Sequence, residues 1–179
     1  MSLSTDLREQ ARQRADCACE FCGISEIDVG GLLTIDHFHP RSKGGTETLD
    51  NLIYACIHCN QYKHDYWPHD DLAPRLWNPR ELLISPHFVE SEDGRLIAVT
   101  IVGDFTMRRL RLNREQLVHY RLRRREALNA TRLLERSQEL LKILVEPNQQ
   151  LSNVSLEQQE LLQVQRDLIK VLLKRLNDG

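Results

Sequence analysis

Residues 35–45 read IDHFHPRSKGG and bring together one carboxylate, two imidazoles, two cations and a glycine pair. Cys19-x2-Cys22 lies upstream of this segment and Cys56-x2-Cys59 downstream. Four thiolates in two such pairs suit tetrahedral Zn2+ in a closed structural site. The gap between the pairs exceeds the roughly 15–20 residues of a compact zinc ribbon, so the clamp encloses a working segment rather than a short turn. A zinc ringed by four sulfurs has no open position for water. Its contribution is folding free energy, and chemistry on a substrate would need a second metal. Cys17 is the odd thiol, because using it in place of Cys19 would give C-x4-C spacing and leave Cys19 idle. A redox role lacks the βαβ context such motifs require.

The elements that must position these residues follow from pattern and punctuation. Ser4 precedes TDLREQARQRA and reads as the cap of a short helix that runs into the first thiol pair. GGLLTIDHFHP is a short β-like run fenced by Gly-Gly and Pro, and Gly44-Gly45 makes a turn. LDNLIYACIHCNQYK begins at a capping Asp/Asn and carries the second thiol pair into a helix through Lys63. HFVE, SEDG and RLIAVTIVG predict a β-hairpin, followed by a short helix from Thr106 to Leu112. Two long helical patterns, Arg114 to Val145 and Leu156 to Leu176, flank Pro147, which is expected to end the first, while Ser155 and Gln158 form a capping box for the second. Leu161, Val164, Leu168, Val171 and Leu172 recur at helical spacing in the second, so it must bury one face, in a helical hairpin or a homodimer seam.

Composition bounds the partners. The chain has 179 residues, 41% of them apolar, and a net charge of −2, which argues against a wholly basic nucleic-acid binder. Charge is nevertheless uneven, since residues 108–125 hold eight arginines and one glutamate. That stripe reads equally as a phosphate-facing track or as a solvated helix face. The polar start and the absence of a long apolar run predict a cytoplasmic protein with no membrane partner, a compartment where cysteines bind metal rather than pair.

In order along the chain, CEFCG, IDHFHPRSKGGTETLDNL and ACIHCNQYK resemble the HNH endonuclease family, in its HNN variant, over Asp16 to Asp65. The resemblance implies an α+β fold with a ββα-metal core in which a β-hairpin and a helix grip one divalent cation. It further implies hydrolysis of nucleic-acid phosphodiesters, with double-stranded DNA the expected substrate and 5′-phosphate and 3′-hydroxyl ends the products. On this reading His37 belongs to the family's catalytic Asp-His pair. Asn51, matching the middle Asn of the motif, would brace the loop and orient His37. Asn60 stands where the family often has His.

Side-chain chemistry agrees. Asp36 and the Asn60 carbonyl are hard oxygen donors suited to Mg2+ or Mn2+. His37 is suited to take a proton from water at neutral pH. Lys63, Arg41 and Lys43 are expected to reach phosphate, and His39 to aid substrate binding or rival His37. Because consecutive strand residues face opposite ways, Asp36 and His37 can share a cation only at a strand end. The tryptophans Trp67 and Trp77 are expected to pack in the core. The expected organisation is a nuclease core over residues 1–80, a hairpin and short helix over 81–112, and a helical extension over 113–179. The competing reading is a zinc-held nucleic-acid-binding or interaction module without hydrolytic activity.

Overall fold

The computed structural model describes residues 3–81, 84 and 86–177. It comprises two compact units, Met1–Arg125 and Glu126–Gly179. In the first, Ser4 Oγ accepts from Leu7 N at 3.2 Å and opens α1 (Thr5–Arg14), as its hydroxyl predicts. A tight turn follows, in which Cys19 N donates to Ile24 O at 2.9 Å and Gly23 N to Cys19 O at 2.7 Å. A single helical turn, α2 (Glu26–Val29), is then held by a reciprocal capping box between Ser25 and Asp28. Its Ser-x-x-Asp spacing was the signal for an element the sequence reading omitted.

Strands β1 (Thr34–His37) and β2 (Leu52–Ala55) pair antiparallel, with Asp36 opposite Ile53 and His37 opposite Leu52. All four residues of β2 are buried, so the strand reads as a continuous apolar run rather than an alternation. The expected helix therefore starts later than the Asp/Asn signal suggested. Leu49–Asn51 is a 3-10 turn, and α3 (Ile57–Lys63) begins with Cys56 as its cap, the Sγ accepting from Cys59 N at 3.4 Å. Between the strands the loop makes a second 3-10 turn at Arg41–Lys43 and folds back through Gly44 and Gly45. No other residue fits at Gly45, where a Cβ would sit 1.8 Å from the carbonyl oxygen of His39.

The second hairpin pairs β3 (Phe88–Glu90) with β4 (Leu96–Ala98). The β-branched run was expected to stay extended through Val102, but Thr100 Oγ1 accepts from Gly103 N at 3.0 Å and starts α4 (Ile101–Arg109) there. A satisfied helix cap thus outweighs β-propensity over Ile101 and Val102, and the short helix lies earlier than Thr106–Leu112. Helix α4 ends in a Schellman turn, with Arg111 N donating to Arg108 O at 3.3 Å and Leu112 N to Met107 O at 2.9 Å. The left-handed residue of that turn is Arg111, φ 49°, where glycine is usual; an L side chain there costs about 1–2 kcal/mol.

The core gathers Phe21, Ile53, Ala55, Leu110, Leu112 and Leu117 with the cysteines. Trp77 is 3% exposed and packs edge-on to Phe21 and Phe88, at 6.5 and 5.7 Å between centroids. It is a core residue, as expected. The arginine stripe divides: Arg108, Arg111, Arg123 and Arg124 are exposed, and others are drawn into the fold. Arg114 Nη2 lies 3.7 Å from Cys56 Sγ and 3.9 Å from Cys59 Sγ, Arg121 is buried and donates to Gly94 O and Leu112 O, and Arg125 donates to Ser91 O and Glu92 O. These guanidiniums tie chain segments together.

Helix α5 runs from Glu115 to Asn177, 63 residues, with Pro147 inside it. The expected interruption at Glu146-Pro147 is absent, and Ser155, the expected cap, lies within the helix. An interior proline costs about 3 kcal/mol through one lost hydrogen bond and a clash with the carbonyl four residues back. The Leu, Glu, Gln and Arg residues on both sides favour helix strongly enough to carry the chain through. In the second unit Leu161, Val164 and Leu168 are exposed, like Leu133, Leu140, Leu144 and Leu151 before them. The side chains of Val171 and Leu172 lie outside the described residues. Among the described residues no helix is long and apolar enough to cross a membrane.

Candidate active site

The four thiols meet where the first turn packs on the start of α3. The Sγ atoms of Cys19, Cys22, Cys56 and Cys59 all lie within 4.8 Å of one another, and Cys22 and Cys56 are 3.7 Å apart. Sulfurs at about 2.3 Å from a tetrahedral zinc would be separated by roughly 3.8 Å, so the cluster has the dimensions of that site. Cys17 is not part of it. The Cys19, Cys22 and Cys59 thiols all hydrogen-bond Cys56 and hold its sulfur well below the usual thiol range, whereas burial pushes Cys19 up. Such a knot of sulfurs needs a cation, and the Arg114 guanidinium beside it supplies a fixed positive charge of the kind that orients metal ligands.

Strand β1 ends at His37, so the adjacent Asp36 and His37 stand at a strand end. Both line one cleft of about 480 Å3, together with Pro40, Arg41, Ser42 and Asn60. Asp36 is 9% exposed and its Oδ2 stands 3.0 Å from Lys63 Nζ. Lys63 thus balances the buried carboxylate at that oxygen. His37 Nε2 is buried with no hydrogen-bond partner among the described residues. A buried ring nitrogen without a partner is rare and costly, and it belongs to a residue that lines the same cleft as Asp36. Asn60 gives its Nδ2 to Thr34 Oγ1 at 3.1 Å, which leaves the carbonyl oxygen as the amide's other end. The donor set thus fits Mg2+ or Mn2+.

Burial, and next the charge of Arg41, hold His37 below the usual histidine range, so the ring is neutral at physiological pH. Burial pushes Asp36 up and Lys63 down, each opposed by the other's charge. Lys63 was expected to reach a phosphate. Instead it is 0% exposed, and Nζ donates to the His37 carbonyl at 2.8 Å as well as facing Asp36. A four-carbon stem leaving the last turn of α3 points inward here because β1 lies directly against that helix. Lys63→Met is expected to destabilise the fold by about 3–5 kcal/mol, since it strands a buried carboxylate. Urea unfolding would measure this, and adding Asp36→Asn should recover much of the loss.

Asn51 accepts from His39 N at 2.7 Å through Oδ1 and donates to His39 O at 3.0 Å and Thr46 O at 2.7 Å through Nδ2. It clasps the loop two residues beyond His37. His39 does not share the cleft. Its ring stacks on Trp67 at 3.8 Å, and Nε2 meets the Lys43 carbonyl at 2.9 Å. Strand alternation no longer applies past His37, and the two imidazoles lie in different surroundings. Arg41 rims the cleft with Oε1 of Glu47 at 2.9 Å, while the exposed Lys43 lies one turn on.

A profile of the HNH endonuclease family matches residues 19–66. The chain carries an HNH endonuclease domain. The CRISPR-associated endonuclease Cas9 of Corynebacterium diphtheriae is 42% identical over 57 residues, which are 31% of this chain and 5% of that protein. This chain therefore corresponds to a small part of that relative. No solved structure matches the chain. The HNH domain here is a β-hairpin followed by a helix around the four-cysteine cluster. Sequence reasoning passed over three residues at its cleft, Gln61, His64 and Asp65. His64, at φ 54° and ψ −142°, sits where α3 ends, and its Nδ1 meets Asp65 Oδ1. Nothing in the residue pattern marked it, because its position depends on a backbone conformation rare for a residue with a Cβ.

Proposed function

We propose that this protein is a metal-dependent endonuclease that hydrolyses phosphodiester bonds of double-stranded DNA, leaving 5′-phosphate and 3′-hydroxyl ends. The supporting observation is the single cleft lined by Asp36, His37 and Asn60, with Asp36 paired to the buried Lys63 and His37 Nε2 buried and unmatched. His37, neutral through burial, takes a proton from the attacking water at Nε2. Asn51 holds the His39–Thr46 loop so that the imidazole keeps its place. Lys63 keeps the Asp36 carboxylate ionised against its burial. Arg41 lines the cleft and the exposed Lys43 follows it in the same loop, and their charge attracts and orients the phosphate. A divalent cation held by Asp36 and Asn60 would neutralise charge on the scissile group and stabilise the departing oxygen. The cysteine cluster holds zinc and keeps the start of α3 against the turn at residues 19–22.

Incubating the purified protein with supercoiled plasmid, with and without Mg2+, Mn2+ or chelator, tests this reading. Metal-dependent nicking is the expected result, and intact plasmid in every lane would leave only a zinc-held binding module.

The second unit carries the partner proposal. Leu133, Leu134, Leu140, Leu141, Leu144 and Leu151 are all more than half exposed on one helix, a concentration of apolar surface that monomers seldom leave open. A homodimer through α5 would cover it and bring two nicking sites to opposite strands. Light scattering is expected to return twice the chain mass; a strictly monomeric mass at working concentration would remove the dimer.

A further inference from the structure

Beside the catalytic cleft lies a second one, open and cationic, lined by Gln61, Tyr62, His64, Phe105, Arg108, Arg109 and Arg111. The two share Gln61 and His64, so they adjoin along the outer face of α3. The three arginines differ in what they can do. Arg109 is half-buried, lies 4.3 Å over the Tyr66 ring and donates to the Lys63 carbonyl at 3.2 Å, which fastens the end of α3. Arg108 and Arg111 are exposed. Arg108 pairs with Asp104 four residues back, and the Arg111 guanidinium lies 4.8 Å over the Tyr62 ring. An aromatic floor fixes a guanidinium plane while leaving its N–H edge open, an arrangement suited to a phosphate rather than a carboxylate within the fold.

The backbone supplies an independent observation. Arg111 occupies the left-handed position that closes α4, where glycine would be free of steric cost. A side chain retained at such a position signals a use beyond folding. Its backbone bonds would be made equally by glycine, and the exposed side chain meets the fold at the Tyr62 ring.

From this juxtaposition we infer that the cleft is a phosphate subsite, in which Arg111 and Arg108 bind the backbone of the nucleic-acid strand next to the bond that is cut. The inference rests on the nuclease reading for its substrate. It assigns to two exposed arginines of the stripe the phosphate contact that Arg109, Arg114, Arg121 and Arg125, tied into the fold, do not make. It also gives the strand a direction across the protein, from the His37 cleft over Gln61 and His64 to Arg111.

The test uses the full chain carrying His37→Ala, so that binding is read without cleavage. Affinity for a short fluorescent duplex would be followed by anisotropy over about 50–200 mM KCl. Into this background go Arg111→Gly, Arg111→Gly with Arg108→Gln, and Arg95→Gln as a control on the hairpin turn. Arg111→Gly preserves the left-handed turn, so its melting temperature should equal or exceed the parent's. Binding should weaken roughly tenfold for the double variant, with the slope of log K against log salt reduced by about 2, and by about 1 for Arg111→Gly alone. The control should bind like the parent. Unchanged affinity and slope in the double variant, or no duplex binding by the parent at the lowest salt, overturns the subsite. With His37 restored, the same substitutions should raise KM and leave kcat. Arginine-dependent binding without cleavage by the unmodified protein would instead fault the nuclease reading while leaving the subsite standing.

Discussion

His37→Ala protein is expected to nick plasmid at least 10²- to 10⁴-fold more slowly than the unmodified chain, the range general bases contribute. The imidazole is the neutral, buried, unpartnered base in the cleft, and its Nε2 donates to and accepts from nothing else among the described residues. Replacement should leave folding nearly untouched, because the side chain is only partly buried and anchors no neighbour through its ring. Zinc content, circular dichroism and unfolding midpoint are thus the controls. Comparable cleavage by the two proteins would remove His37 from the chemistry and turn attention to His64, the other imidazole lining the cleft.

Cys19→Ser is expected to act on the fold itself, with any activity lost through unfolding. Cys19 is 2% exposed within the sulfur cluster, and hydroxyl oxygen is a poor zinc ligand. Structural zinc contributes on the order of 10–16 kcal/mol of apparent binding energy in small modules, comparable to or larger than the whole stability of an ordinary domain. Metal content by mass spectrometry and backbone amide dispersion by NMR would both collapse. A variant that stays folded and zinc-free would show that Phe21, Trp77 and their neighbours hold the domain without the metal.

Much of the domain was legible because its residues carry spacing that physics interprets directly. The thiol pairs announced the cluster, and the Asp-His pair could work only at a strand end, which is where β1 stops. Other features depend on competition that spacing does not encode. Lys63 looked like a surface cation because lysine usually is one, and only the packing of β1 on α3 turns it inward. Val99 to Val102 looked extended until a threonine cap claimed part of the run, and Pro147 looked like a stop until the helix ran through it. The arginine stripe could not be divided from sequence, because whether a guanidinium braces a carbonyl or faces solvent depends on the fold around it. His64 and Gln61 joined the cleft through the geometry of a helix end.

The Asp36–Lys63 contact carries a final implication for how the protein rests between encounters. An internal ammonium already balances the carboxylate that would receive the incoming cation, so occupancy by magnesium adds charge to a neutralised site and should be loose. Under the proposed chemistry, cutting would then track the free concentration of the ion, and the protein would idle harmlessly whenever that supply ran low.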